Sequence, residues 1–250
     1  MSFVIPSVKE LHAINPIAGE FFDKNDPMLL SSYGESVLYH ATHSVYRDSI
    51  QQEGLQPGQE IIASEYDEFC SDLFDRFGSS HPNDRTNFER LILGRGYGTE
   101  NRGIYVASKP TDIMYYGIPE RVNFMIAGLN HASIAPHIPD DLKNEASERA
   151  RSLYNTFTGQ GATIDQYMIS PFSRSVLNSR FMSDQMLGLP QAAAEMYVQQ
   201  PDLNHSHNVE LSGSIDTDEI QLVGSIPVEH THYPNLLMKK DRPNYMRLTP

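Results

Sequence analysis

Three kinds of side chain in this sequence are placed where they could do chemistry: an imidazole, a set of phenol rings and a late carboxylate. His40 ends the run "SVLYH", which predicts a strand over residues 36–40, and scaffolds commonly present functional groups at strand ends. Tyr105 lies in "GIYVAS", a second predicted strand, where it shares a face with Ala107 and forms a shelf for a flat ring. Glu219 opens a late predicted strand, where a carboxylate can stabilise a developing positive charge. Each residue alone is also compatible with a structural role: a satisfied core histidine, a core tyrosine and a solvated edge charge.

A pair of tyrosines follows Tyr105 closely enough to face it. Tyr115 and Tyr116 lie ten and eleven residues later, in a helix predicted from "KPTDIMYYG". A helix packed beside the end of the strand would bring one of these rings opposite Tyr105. Two facing rings form a slot for a planar heterocycle, and the alternative interpretation is two ordinary core tyrosines.

The elements that must position these residues alternate between strand and helix in the first half of the chain. After the first strand, Ser44 can N-cap a helix over residues 45–53, with Gly54 just past its end and Leu55 folding back on it. "EYDEFCSDLFDRFG" predicts a helix with an apolar stripe. "RVNFMIA" alternates in hydrophobicity and predicts a half-buried strand.

The second half of the chain decides the fold class. Residues 139–200 are predicted to be helical, because apolar residues recur at three- and four-residue spacing, and "NVELSGS" and "EIQLVGSIP" return to strand. Because the late strands have turn-length links, the pattern indicates an α+β fold rather than a doubly wound sheet. We expect an irregular arm, residues 1–32, packed on a single domain of residues 33–250 with helical insertions at about 60–95 and 139–200.

Composition excludes several classes of function. Among 250 residues, 19 Lys and Arg against 32 Asp and Glu give a net charge of −13 at pH 7. That charge repels phosphate backbones and argues against a protein that binds duplex nucleic acid. Cys70 is the only cysteine, so no intramolecular disulfide forms. With no basic leader and no long apolar run, we expect a cytoplasmic protein, or one exported by a signal-free route into a host cell.

Paired histidines raise the question of a metal site. "HSH" at 205–207, "HTH" at 230–232 and "HATH" at 40–43 each offer two imidazoles. Zinc sites usually need three or four ligands in a consistent geometry, and these pairs lie in polar, turn-rich surroundings without such a set. We therefore expect no metal.

Taken together and in this order, these residues resemble the ADP-ribosyltransferase (ART) superfamily. The resemblance is to its histidine–tyrosine–glutamate branch, the side of diphtheria toxin and the poly-ADP-ribose polymerases. Its members have a histidine closing the first core strand, a short helix ending in "GL", a "GIY" strand, a second tyrosine eleven positions on and a late glutamate. The residues that fill these places here are His40, Gly54, Leu55, Tyr105, Tyr116 and Glu219. The match covers about a third of the chain and implies an ART-like split β-sandwich with helical insertions.

The resemblance implies that NAD binds as a substrate. His40 would bind a hydroxyl of the adenosine ribose, and the backbone of Ala41 would hold the nicotinamide amide. Tyr105 and Tyr116 would sandwich the nicotinamide ring. Glu219 would bond the 2′-hydroxyl of the nicotinamide ribose and stabilise the oxocarbenium-like state as the N-glycosidic bond breaks.

The implied site can be stated as two sets of residues. The catalytic set is Glu219, His40 and Tyr105, with Glu210 and Glu229 as the next glutamates to try. The NAD-binding set is His40, Ala41, Thr42, Tyr105, Ser108, Tyr116, Tyr115, Arg95 and Arg102.

The two arginines of that set belong to the loop "GRGYGTENRG", residues 94–103. Its four glycines predict a mobile loop over the mouth of the site. Bidentate pairing by Arg95 or Arg102 would suit the diphosphate of NAD. The alternative is a solvated loop whose arginines pair with nearby acids.

The sequence departs from the family pattern at two positions. The family's glycine after the histidine is Ala41 here, and the small hydroxyl residue eight positions after the first tyrosine is Ile113. Thr111 is a candidate substitute for that hydroxyl. "SPFSRS" resembles the Ser-x-Ser of another branch, but no arginine occupies the first strand, so Ser173 and Ser175 are interpreted as incidental.

The resemblance implies NAD-dependent mono-ADP-ribosyl transfer to a macromolecular acceptor, and we expect a protein acceptor rather than a nucleic acid. The enzyme would be a toxin, an effector or a phage-conflict enzyme, and we expect no membrane partner. Three alternatives stay open: an RNA 2′-phosphotransferase of the same fold, an NAD glycohydrolase, and a non-catalytic module that binds NAD or ADP-ribose. The acidic balance and the tyrosine pair count against the first. The departures at Ala41 and Ile113 keep the last one open.

Overall fold

The computed structural model describes residues 3–57, 66–78, 103–113, 117–118, 120–181, 209–211 and 213–231, and they form a mixed helical and antiparallel fold of the α+β class. The helices are α1 (Val8–Ile14), α2 (Pro16–Lys24), α3 (Pro27–Gly34), α4 (Arg47–Glu53), α5 (Asp67–Leu73), α6 (Pro110–Ile113), α7 (Glu120–Ala132), α8 (Asp140–Thr158) and α9 (Arg174–Arg180). The strands are β1 (Leu38–His43), β2 (Ile104–Val106), β3 (Thr163–Ile169), β4 (Val209–Leu211) and β5 (Ile220–Pro227). Within these ranges no helix is both long and apolar enough to cross a membrane.

The five strands form two antiparallel sheets that meet at one point. β3 lies between β1 and β5, and β2 pairs with β4. Tyr39 of β1 and Ala107, just after β2, exchange two backbone hydrogen bonds of 2.8 and 2.9 Å, which join the two sheets. The strand order is therefore β4-β2-β1-β3-β5, and the backbone pairing between β1 and β2 is confined to this single bridge in the described residues.

The segment "RVNFMIA" belongs to helix α7, so the prediction of a strand there is wrong. Its alternation of apolar residues is real but short. Continued along the chain, the fully buried positions are Val122, Met125, Leu129 and Ala132, which follow the spacing of a helix, whereas Phe124 is only partly buried. A seven-residue window was too short to separate the two periods.

The block 139–200 was predicted to be helical throughout, and this is wrong for β3. Helix α8 confirms the first part of the prediction, with Ala146, Ala150, Leu153 and Phe157 buried. β3 follows it and is the central strand of the three-stranded sheet. Asp165 of β3 is buried because it pairs with Arg47, which lies far away in the sequence. The strand therefore shows neither a clear alternation of polar and apolar residues nor a continuous apolar run. Residues 182–200 lie outside the described part.

The N-terminal arm is helical, not irregular as predicted. Pro16 and Pro27 each occupy the first position of a helix, where a missing N–H costs nothing. The arm contacts the body: Asn15 Nδ2 donates to Asn178 Oδ1 at 2.9 Å, and the ring centroids of Phe21 and Phe181 lie 5.3 Å apart. The domain boundary drawn at residue 33 stays a prediction.

The segment after His40 folds nearly as predicted, with a shift of three residues. β1 continues through His43, whose side chain, not that of Ser44, caps the 3-10 turn Ser44–Tyr46 that leads into α4. The Ser44 hydroxyl instead accepts from the Thr163 N–H at 3.0 Å. Gly54 ends α4 with a φ of 76°, which confirms its predicted place.

Candidate functional site

His40 is fixed by a hydrogen bond to the neighbouring strand. Its Nδ1 lies 2.9 Å from the carbonyl oxygen of Tyr105. Because a carbonyl only accepts, Nδ1 carries the hydrogen, and burial lowers the pKa of His40, which favours the neutral ring. Nε2 is therefore an acceptor, and within the described residues it has no hydrogen-bond partner.

Ala41 lies inside β1, so the strand does not end at His40 as predicted. Tyr39 directs its backbone N–H and C=O toward β2, so by the alternation of an antiparallel strand Ala41 directs its own toward the same side. The backbone pairing of β1 with β2 stops at Tyr39, and the His40 ring takes the Tyr105 carbonyl. The amide groups of Ala41, a residue that is 1% exposed, thus face the place where the backbone pairing between β1 and β2 stops, and we call this place the split.

Tyr105 lies in β2 between two candidate partners. Its carbonyl binds His40 on the β1 side, and its Cα partner on the β4 side is Glu210. The ring of Tyr105 is half-buried. The structure thus brings His40, Tyr105 and the backbone of Glu210 together across three neighbouring strands.

Glu219 lies elsewhere. It precedes β5, whose Ile220 pairs with Ile169, so β3 separates it from the first strand. Its carboxylate accepts hydrogen bonds from the backbone N–H groups of Asp216, at 3.3 Å, and Arg174. Burial raises the pKa of Glu219, and these two bonds oppose the shift. The carboxylate closes a capping box and stands at the start of α9, which is a structural arrangement.

Other predicted residues divide between described and undescribed parts of the chain. Tyr115, Tyr116, Arg95 and Arg102 lie outside the described residues, so the ring slot and the loop over the diphosphate stay predictions. Thr42 is half-buried in β1, and Ser108 is exposed just after β2. Glu229 is exposed beyond the end of β5.

The departures from the family pattern have plain structural places. Ile113 is fully buried in the core and Thr111 is exposed, so neither supplies a hydroxyl inside the core. Ser173 N-caps α9, and the Ser175 hydroxyl donates to the carbonyl of Ser214 at 2.7 Å. Both serines therefore have structural roles, in line with their interpretation as incidental to the chemistry.

Sequence reasoning missed a buried ion pair. Asp165 is fully buried and accepts from Arg47 Nε and Nη2, both at 2.7 Å, from Ser225 Oγ at 2.7 Å and from Thr163 Oγ1 at 2.9 Å. Burial raises the pKa of Asp165, but these hydrogen bonds outweigh it and hold the pKa below its ordinary value. Burial also raises the pKa of Tyr167, on the same face of β3, to about 12. The two residues of this ion pair are 118 positions apart, so no local sequence motif predicts it.

A metal is not supported by the described histidines. His43 of the "HATH" pair uses both ring nitrogens within the protein, and among the described residues no cluster of three or more His, Cys, Asp or Glu side chains is arranged to hold an ion. His205, His207 and His232 lie outside the described part.

Comparison of the chain with protein-family models, curated proteins and solved structures finds no match.

Proposed function

We propose that this protein is an NAD-dependent mono-ADP-ribosyltransferase that acts at the junction of β4, β2 and β1. The observation that carries the proposal is the arrangement around Tyr105: His40 binds its carbonyl from one side, and Glu210 is its Cα partner on the other. Residues that carry a ring, a hydroxyl acceptor and a carboxyl group thereby lie on three neighbouring strands from separate segments of the chain. The split between β1 and β2 supports an ART-like division of the sheet.

The backbone at this split suits a primary amide. Ala41 turns one N–H donor and one C=O acceptor toward the split, and a carboxamide such as that of nicotinamide needs both. Alanine serves as well as glycine here, because a residue within a regular strand has a negative φ. The departure at Ala41 is therefore compatible with binding.

The neutral His40 ring supports the sugar contact. Its Nε2 is an acceptor, so it takes a hydrogen bond from a ribose hydroxyl rather than giving one to a phosphate. The half-buried ring of Tyr105 offers one face to the nicotinamide. Together these groups orient the two ends of the dinucleotide.

We assign the catalytic carboxylate to Glu210 in place of Glu219. The N-glycosidic bond breaks with its electron pair leaving on nicotinamide, and the ribose becomes oxocarbenium-like. A carboxylate that bonds the 2′-hydroxyl stabilises that positive charge. The acceptor nucleophile then adds to the ribose carbon and loses its proton. Glu210 pairs with Tyr105, whereas the carboxylate of Glu219 is engaged by two backbone N–H groups.

The proposal is tested by incubating the protein with NAD and measuring nicotinamide release. We expect release, followed by transfer of labelled ADP-ribose to a protein band when a lysate is added. Release without transfer in every lysate would make the protein a glycohydrolase. Binding of NAD without release would make it a non-catalytic module, and neither binding nor release would refute the proposed site.

A further inference from the structure

The C-terminal end of α4 is tied to the segment that follows β4. Leu55 N–H donates to the carbonyl of Ile215, and Ile215 N–H donates to the carbonyl of Leu55, each at 2.9 Å. We call this pair of bonds, with Gly54 before it, the α4 clasp. Gly54 has a φ of 76° and a ψ of −168°, and a Cβ added there would overlap the carbonyl oxygen of Ile215. Glycine is therefore required both by its conformation and by the close approach of the two backbones.

The clasp holds the chain five residues after Glu210. β4 has only three residues and pairs only with β2 in the described part, a ladder too short to fix its own register. Leu211 and Ile215 are buried, and the Ser175 hydroxyl binds the carbonyl of Ser214 at 2.7 Å. The position of Glu210 along Tyr105 is thus set from two sides: the β2 ladder before it and the clasp after it.

The opposite end of α4 is anchored as firmly. Arg47, its first residue, makes the bidentate pair with buried Asp165 of β3. α4 therefore spans from the sheet that holds His40 to the segment that holds Glu210. Because α4 is short and fixed at both ends, the position of that sheet constrains the position of that segment.

We propose that the α4 clasp is a positioning device for the catalytic carboxylate, with Gly54 as its essential residue. This inference rests on the proposed function, since it concerns the alignment of Glu210 with Tyr105. His40 and Tyr105 are joined directly by their own hydrogen bond and do not depend on the clasp. Loosening the clasp therefore lowers kcat, because the carboxylate acts in the transition state, and leaves the KM for NAD nearly unchanged.

The test compares Gly54→Ala with Gly161→Ala. Gly161 has a similar φ of 84° but nothing within 4 Å of an added Cβ, so the control also places alanine at a positive φ but without a clash. We expect Gly54→Ala to lose about 10- to 100-fold in kcat, since small misplacements have effects of this size, and Gly161→Ala to keep its kcat. Equal kcat values for the two variants, or a rise in KM with kcat unchanged, would overturn the inference.

Amide hydrogen exchange supplies a readout that does not depend on activity. In the wild-type protein the Leu55 and Ile215 amides should be protected, and in Gly54→Ala the protection of residues 209–211 should fall. Rapid exchange of both amides in the wild type would overturn the inference, even where Gly54→Ala fails to fold. A wild type that releases no nicotinamide refutes the proposed function, whereas an active wild type with an equally active Gly54→Ala refutes only the clasp.

Discussion

His40 and His43 stand three residues apart on one strand and are treated in opposite ways by the fold. His43 is buried, donates from Nε2 to the carbonyl of Phe157 at 3.1 Å and accepts at Nδ1 from the Val45 N–H at 3.1 Å. His40 is half-buried and, in the described part of the chain, uses one ring nitrogen. One imidazole has all its hydrogen-bonding capacity engaged in structure, whereas the other has capacity to spare at a split in the sheet.

Two acidic residues resemble His43 in that the protein itself supplies hydrogen bonds to them. Asp165 receives hydrogen bonds from three side chains, and the carboxylate of Glu219 receives two from the backbone. A polar group whose partners are all supplied by the protein contributes to folding. A polar atom with unused capacity, such as Nε2 of His40, is a better candidate for binding. In this respect His43 and Asp165 differ from His40, whose Nε2 has no partner among the described residues.

The largest effect should come from exchanging one glutamate. Glu210→Gln keeps the size of the side chain but removes its charge, and loss of one electrostatic stabiliser typically lowers kcat about 10²–10³-fold. Thermal stability should hardly change. Nicotinamide release under saturating NAD measures the effect.

Glu219→Gln is the matched control for that variant. Its amide can still accept one backbone hydrogen bond, so we expect a small loss of stability and a nearly normal kcat. If Glu219→Gln is inactive and Glu210→Gln is not, the assignment made from strand register is wrong and the original assignment to Glu219 is restored.

The second effect tests the ion pair between Arg47 and the buried carboxylate of Asp165. Arg47→Met leaves a fully buried carboxylate with only two hydroxyl partners, and we expect a loss of about 3 kcal/mol in the free energy of unfolding. Asp165→Asn should cost less, because the Arg47 side chain is 36% exposed and can turn to water. Chemical denaturation measures both, and equal or reversed losses would contradict the account of this cluster.

The third effect is a dependence of stability on pH that belongs to His43. Burial lowers its pKa from 6.5 to about 4 in the folded protein. Between these values the unfolded state binds the extra proton, so stability is complete above pH 6.5 and falls as the pH drops toward 4. The loss should reach about 2–3 kcal/mol and should be missing from His43→Gln. Denaturation curves at several pH values give the difference, and parallel losses in both proteins would refute this role for His43.

Much of the fold around the proposed site could be predicted, because helix ends and strands there follow from short stretches of sequence. Gly54 ends α4 as expected, and the strands around Tyr105, Glu210 and Leu222 lie where their sequences predicted them. The pattern of polar and apolar residues failed to predict β3, because a charged residue of this strand is buried. β3 carries Asp165 in its buried face, where a distant arginine and two hydroxyl groups satisfy the carboxylate.

The site itself could be predicted only in part. His40 and Tyr105 were predicted because each lies in a recognisable strand, and the structure joins the His40 ring to the Tyr105 carbonyl by a hydrogen bond; their roles stay predictions. The choice among late glutamates could not be made in this way, because it depends on which strands pair. Glu210 and Glu219 both lie near the start of a strand, and the order β4-β2-β1 places the backbone of Glu210, not that of Glu219, beside Tyr105.

The most direct test of the account follows the imidazoles while NAD binds. In the slow Glu210→Gln variant labelled with ¹⁵N at histidine, His40 should begin as the neutral ring with hydrogen on Nδ1. On saturation with NAD, the His40 Nε2 resonance should shift as it accepts a hydroxyl hydrogen bond, while both nitrogens of His43 stay unchanged. NAD binding that leaves His40 Nε2 unmoved, or that moves His43 instead, would contradict the proposed site.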